Sequence, residues 1–256
     1  MTTWWQYIKI RCMERLQYPK DLTFFTIAFF LVQLTGPVFV LALYNTGASI
    51  PGWTQWELIS LQGMFSITTG IAGTLYWGLV HQASSLVRDG RLELFRIRPV
   101  NTLWLLTMHV FNEEEIASLL GGITVLGVAA TQLNVASQHL LLTAAYIIPG
   151  LLFLLAVAVL AASLHVYFIK VPMLAAILTD ILDFSKFPRE AFSLVNKTII
   201  SLSPLLLITH YPAKAFIGAP IDTNGFLITL TVCLALTTTA FTAWHHALES
   251  YDGAHG

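Results

Sequence analysis

Histidine is the residue type in this chain that most resembles a set of metal or haem ligands. The sequence contains eight histidines, and His245 and His246 are followed by Glu249. Adjacent histidines on a helix point about 100° apart, whereas the His-Glu-x-x-His zinc motif places its histidines one turn apart on one face. The pattern therefore predicts no catalytic residue and no metal site. A membrane-embedded haem or metal protein, or an intramembrane enzyme, remains the alternative interpretation.

Lys197 is a charged side chain inside a long apolar stretch, residues 191–209. A charge at that depth costs about 2.5–3.5 kcal/mol on insertion scales, so such residues usually face protein or water. Asn196 is its neighbour, and Ser201, four residues on, shares its helix face. We take these three residues as the candidate substrate path. The alternative is that Lys197 extends to the cytoplasmic interface or joins two helices.

A second polar stretch, residues 81–115, is the longest in the chain and holds six of its 27 charges within eleven residues. It predicts a short amphipathic helix from Ser84 to Phe95 that breaks near Gly90. Its charges are suited to charge-assisted contacts with a cytosolic protein. The alternative is that the arginines only set topology and bind lipid phosphates. The candidate coupling residues are Arg88, Asp89, Gly90, Arg91, Glu93, Leu94 and Arg98.

Composition defines the elements that must hold these residues. Of 256 residues, 56% are hydrophobic and 11% are charged, whereas soluble domains have about 25% charged residues. A net charge of −1 and two cysteines argue against a basic nucleic-acid binder and a disulfide scaffold. The chain is therefore predicted to be an all-α membrane protein.

Six stretches are apolar over the length of about 20 residues that a helix needs to cross a bilayer. Five of them contain no Asp, Glu, Lys or Arg, and the other contains only Lys197. Gly70 and Gly73 place small residues on the second span, where another helix can approach closely. The six predicted spans are residues 22–44, 58–80, 116–135, 140–169, 191–209 and 225–244, within a transmembrane domain at residues 22–244.

Basic residues predict the orientation. With the N-terminus inside, the cytoplasmic segments contain eleven Lys and Arg residues and the outer segments contain only Lys214. Both termini are therefore predicted to be cytoplasmic. The cytoplasmic segments in this arrangement are residues 1–21, 81–115, 170–190 and 245–256.

Three peripheral segments complete the predicted architecture. Aromatic and basic residues alternate in residues 1–21, which favours an N-terminal helix in the membrane interface, with a frayed terminus as the alternative. Residues 245–256 form a cytoplasmic tail. Prolines and glycines interrupt the apolar outer loop at 210–224, which favours a re-entrant segment before the sixth span over a plain surface loop.

Several short motifs occur in a fixed order along the chain. GRLELFRIRPVN follows the second predicted span and supplies Gly90, Glu93, Arg98 and Pro99. With the other motifs, this pattern resembles the bacterial type-2 ABC transporter permeases, the ABC-2 family transporter proteins. Two features depart from the family pattern: Phe187 stands where the family usually has Tyr, and the loop before the third span is rich in acids. The other matching motifs are Gly52-Trp53, Phe187-Pro188 with Phe192, Pro204, and Tyr211-Pro212-Ala213.

The resemblance implies a permease subunit of a transporter in the bacterial inner membrane. Such subunits pair as homodimers or related heterodimers, bind cytosolic ATPase subunits and work by alternating access. It implies that the residues at 88–98 couple to the ATPase and that Tyr211 and Pro212 belong to the outer gate. The chain has no Gly-x-x-x-x-Gly-Lys-Ser/Thr loop, so ATP and Mg are expected in the partner and no cofactor in this chain. We expect an exported amphipathic or hydrophobic substrate, contacts with membrane lipids, and no nucleic-acid partner.

Overall fold

The computed structural model describes residues 9, 13, 17, 19–168, 171 and 173–251. The side chains of Leu22, Leu194, Val195 and Lys197 lie outside this description. Over the described residues the secondary structure is helical, with no strand. The interfacial helix predicted at residues 1–21 and the last residues of the predicted tail fall largely outside the described part.

Five described helices are long and apolar enough to cross a membrane. They correspond to the first four predicted spans and to the sixth. α2 continues through a π-helical turn at Gly73–Trp77 and ends at the start of the polar stretch. The five helices are α1 (Pro19–Asn45), α2 (Gln55–Arg88), α5 (Glu115–Leu133), α6 (Ser137–Tyr167) and α10 (Thr223–Glu249).

Shorter helices connect these five. Two follow α2, and three more, with three short 3₁₀ turns, lie between α6 and α10. The short α-helices are α3 (Leu92–Arg96), α4 (Thr102–His109), α7 (Leu174–Asp183), α8 (Leu194–Leu202) and α9 (His210–Phe216). The 3₁₀ turns are Phe184–Lys186, Arg189–Ala191 and Pro204–Leu207.

The stretch predicted as a fifth span, residues 191–209, does not form one helix. α8 ends at Leu202, and Ser203 is extended, with φ −80° and ψ 134°. Pro204 explains this break, because a proline disfavours helical backbone at the residue before it and cannot donate a helical hydrogen bond. The expectation of a continuous apolar span here is wrong.

Residues 170–190 also differ from the prediction that they lie together on the cytoplasmic side. α7 contacts the last third of α2, but the Trp53 Nε1–H, just before α2, donates to Glu190 Oε2 at 3.0 Å. Two hydrogen-bonded residues cannot lie on opposite sides of a bilayer. The crossing is therefore made by residues 174–190, and nine of the eleven basic residues, without Lys186 and Arg189, remain in segments predicted to be cytoplasmic.

Close approach of α2 and α5 depends on glycines, as the sequence predicted for Gly70. A Cβ atom at Gly70 would lie 2.7 Å from the backbone nitrogen of Leu119, and one at Gly122 would lie 2.8 Å from that of Ile67. Any larger residue would separate the two backbones. This contact fixes the half of the bundle in which α2 leads into the polar stretch.

Candidate functional site

The coupling segment, which we define as residues 88–98, directly continues α2. α2 ends at Arg88, and Gly90 turns the chain with φ +68°, a conformation that favours glycine. The five-residue helix α3 then begins at Leu92. The break therefore lies at Gly90, as the sequence predicts.

Apolar and charged side chains are both exposed along this segment. Leu92 is buried and holds α3 against the bundle, whereas Leu94 is 56% exposed and Ile97 is 78% exposed. Val100, just beyond the segment, is also exposed. Arg88, Asp89, Arg91, Glu93 and Arg98, all predicted coupling residues, are exposed around these apolar side chains.

Two contacts connect the coupling segment to other elements. Arg96 Nη1–H donates to the carbonyl oxygen of Tyr251 at 2.9 Å, and its guanidinium lies 5.5 Å from the Tyr251 ring centroid. The ring centroids of Phe95 and His109 are 5.2 Å apart. The segment is thus held to the end of α10 on one side and to α4 on the other.

The three residues of the predicted substrate path lie on α8. Asn196 is exposed and lines a groove of about 300 Å³ together with Phe184 and Ser203. Ser201 is half-buried. The side chain of Lys197 lies outside the described residues, so the polar strip stays a prediction.

A polar cluster lies at the end of the bundle opposite the coupling segment, and sequence reasoning missed it. Glu190 is its centre: Oε2 accepts from Trp53, and Oε1 accepts from Arg189 Nε–H at 3.0 Å. Arg189 Nη1–H also donates to Asp222 Oδ2 at 3.3 Å. His210 Nδ1 lies 3.9 Å from Glu190 Oε2. These residues, Trp53, Arg189, Glu190, His210 and Asp222, are called the Glu190 cluster below.

The electrostatics of the cluster depend on burial. Burial among neighbouring side chains lowers the pKa of His210 to about 3, so this ring is neutral at physiological pH. Burial alone would raise the pKa of Glu190, but the neighbouring His210 and the hydrogen bonds from Trp53 and Arg189 outweigh it and hold the pKa below its usual range. Glu190 is therefore an ionised carboxylate.

The Glu190 cluster joins segments that are distant in sequence. Trp53 precedes α2, His210 begins α9, and Asp222 caps α10 by accepting from the Gly225 N–H at 3.1 Å. The one signal in the sequence was the adjacent Arg189 and Glu190, an oppositely charged pair between two apolar stretches. Nothing in that pair indicates Trp53 as its partner.

Tyr211 and Pro212, the residues assigned to an outer gate, are buried in α9 beside this cluster. The Tyr211 ring packs edge-on against Phe226 of α10, with centroids 5.2 Å apart. Upstream, Thr68 Oγ1–H donates to the carbonyl of Ile208 at 3.1 Å. The chain between Arg189 and Asp222 thus leaves the cluster, reaches the middle of α2 and returns.

Histidines and acids do not form a metal-binding group among the described residues. His246 Nδ1 lies 3.4 Å from Glu249 Oε2, and both side chains are exposed. The geometry that raised the zinc interpretation is therefore a surface pair on α10.

A family model described as ABC-2 family transporter protein matches residues 30–255. A comparison with curated proteins finds no match. Because the family match covers most of the chain, this protein belongs to the ABC-2 family of transporter proteins. It is a multi-pass membrane protein and a transmembrane permease component of an ABC transporter, a class that associates with ABC ATPase subunits.

Proposed function

We propose that this chain is the permease subunit of a bacterial inner-membrane exporter for an amphipathic or hydrophobic substrate. Cytosolic ATPase subunits bind the coupling segment and supply ATP hydrolysis with their own ATP and Mg. A second permease chain, identical or related, completes the pathway. Both termini lie in the cytoplasm, the side favoured by the basic residues.

The observation that carries the proposal is the mixed surface of the coupling segment. Leu94, Ile97 and Val100 are exposed among arginines and acids. Exposed apolar side chains rimmed by charge are typical of a protein–protein contact, in which the apolar centre supplies affinity and the charged rim supplies orientation. A partner with an apolar groove and a mostly acidic rim fits this surface.

The contacts around the segment explain how binding there can reach the spans. Leu92 anchors α3 in the core, and Arg96 connects it to the end of α10. Since α2 leads into the segment through a turn of only three residues, a displacement of α3 moves both α2 and α10. Alternating access follows if these helices move relative to the rest of the bundle.

At the other end, we assign the outer gate to the chain between Arg189 and Asp222. Its two ends meet in the Glu190 cluster, and its middle packs deep against α2 and α6, which supports a re-entrant segment rather than a surface loop. Tyr211 and Pro212 lie where this segment meets α10. Asn196, Lys197 and Ser201 on α8 are the proposed polar part of the path.

The test is copurification of the ATPase subunit encoded beside this chain. Leu94→Asp places a charge in the apolar centre of the docking surface and should weaken assembly by about tenfold or more, as loss of an interface anchor does. Lys214→Glu, on the opposite side, is the control and should assemble normally. Equal copurification of the parent and Leu94→Asp, with both folded, would contradict docking at this segment.

A further inference from the structure

A cavity of about 570 Å³ lies between α2, α4, α6 and α10, on the coupling-segment side of the bundle. Its walls include Tyr76 of the π-helical turn, Leu103 of α4, Leu155 of α6, and Phe241 and Trp244 of α10. The volume falls within the range of about 300–1,000 Å³ that is typical of ligand pockets. The cavity is separate from the groove at α8 that contains Asn196.

The chemistry of the walls selects an uncharged alkyl group. Among the described residues that line the cavity, none is Asp, Glu, Lys or Arg, and the polar side chains are Asn101, Thr107, His245 and the Tyr76 hydroxyl. The Tyr76 hydroxyl already donates to the carbonyl of Leu151 at 2.6 Å. Thr107 likewise donates within its own helix, to the carbonyl of Trp104. An ionised ligand would find no counter-charge here, whereas an alkyl chain needs none.

The cavity has no continuation toward the Glu190 cluster. The Tyr76–Leu151 hydrogen bond closes it on that side, and Leu207 packs against Gly150 one residue further along α6. Leu154 and Leu207 are buried. A molecule that enters therefore stays or leaves by the same side, which favours a resident molecule over a transported one.

The only alkyl chains present at high concentration beside these helices are those of the bilayer. α4, which forms one wall, is apolar on all sides, and Trp104 at its margin is half exposed. We propose that the cavity binds one acyl chain of a membrane phospholipid. The inference rests on the membrane location of the chain and is independent of its coupling to an ATPase.

This position gives the lipid an effect on the coupling segment. The chain would fill the space between α4 and α10, and these are the two elements that hold α3 through the Phe95–His109 and Arg96–Tyr251 contacts. An occupied cavity keeps these elements apart at a fixed distance. An empty one lets α4 collapse toward α10.

The test uses tryptophan emission of the isolated full chain in vesicles of phosphatidylcholine with brominated acyl chains. Bromine quenches a tryptophan only on close approach. Trp244 is 2% exposed and Trp53 is 6% exposed, so ordinary surrounding lipid reaches neither. The quenchable emission of the parent should therefore drop in Trp244→Phe and stay unchanged in Trp53→Phe. If Trp244→Phe quenches like the parent, the cavity holds no acyl chain.

Two further arms separate other outcomes. Thr107→Phe fills the cavity and should protect Trp244 from brominated lipid, while Thr124→Phe makes the same change on the exposed surface of α5 and should not. Quenching by a detergent with a brominated tail, without quenching by the brominated phospholipid, would overturn the lipid assignment in favour of a smaller amphiphile. Equal quenching in both threonine variants would also overturn it.

Discussion

Replacing Glu190 with glutamine perturbs the Glu190 cluster while keeping the size of the side chain. The carboxylate accepts from Trp53 and from Arg189, both at 3.0 Å, and the side chain is 18% exposed. Glutamine retains one oxygen for the Trp53 N–H but turns an NH₂ group toward Arg189. One charge-assisted hydrogen bond is therefore lost, and Arg189 keeps only Asp222 as an acidic partner.

The expected size follows from that count. A hydrogen bond to a charged group contributes about 1.5–3 kcal/mol. With a shift of about 2–4 °C per kcal/mol for a chain of this length, Glu190→Gln should lower the melting temperature by about 3–12 °C. Because the cluster joins the segment before α2 to α9 and α10, access of an impermeant reagent to this end should also increase.

Asp183→Asn is the matched control. It breaks the pair between Asp183 and Lys186, which is shorter, at 2.7 Å, but far more exposed. Exposed pairs are worth about 0–1 kcal/mol. The assay is thermal unfolding of both variants in the same detergent. If Glu190→Gln shifts the melting temperature no more than Asp183→Asn does, the cluster does not hold these segments together.

Four other outcomes are expected. Since the pKa of His210 lies near 3 when folded and near 6.5 when unfolded, the unfolded chain binds the extra proton between these values, so thermal stability should fall as pH drops below about 6.5, with a smaller slope in His210→Gln. Gly150→Ala places a Cβ atom 2.5 Å from the Leu207 carbonyl oxygen and should cost about 1–3 kcal/mol, whereas Gly127→Ala meets nothing within 4 Å and should be neutral or slightly stabilising in the same melting assay. An impermeant thiol reagent should label Ser49→Cys in intact cells, and labelling only after lysis would reverse the orientation. Lys197→Met should keep its melting temperature and lose transport if Lys197 faces the path, should lose stability if it joins helices, and should change neither if it extends to the interface.

The long spans were predictable because each depends on local composition. Apolar runs of about 20 residues identify α1, α5, α6 and α10 directly, and the break at Gly90 follows from its conformational freedom. The apolar stretch at 191–209 failed because length and polarity were counted while Pro204 was not given its weight as a helix breaker. Proline in a span is a local signal, so this error was avoidable.

Contacts between distant residues were not predictable in the same way. Trp53 and Glu190 are 137 residues apart, and their hydrogen bond arises from how α2 and the chain after α7 pack. The π-helical turn at Gly73–Trp77 and the cavity beside it likewise depend on the position of α4 and α10. A single sequence contains no record of such packing, so neither the Glu190 cluster nor the cavity could be foreseen.

The most direct measurement of ATPase docking is site-specific photocrosslinking at the Leu94 position in the assembled transporter. A photoreactive residue at this exposed site should crosslink to the ATPase subunit, and ATP binding should change the yield. The control is the Leu141 position, which is 80% exposed on α6 and away from the coupling segment, and should give no such product. Crosslinks from the Leu94 position to lipid alone, or an ATPase product of equal yield from both positions, would contradict docking at the coupling segment.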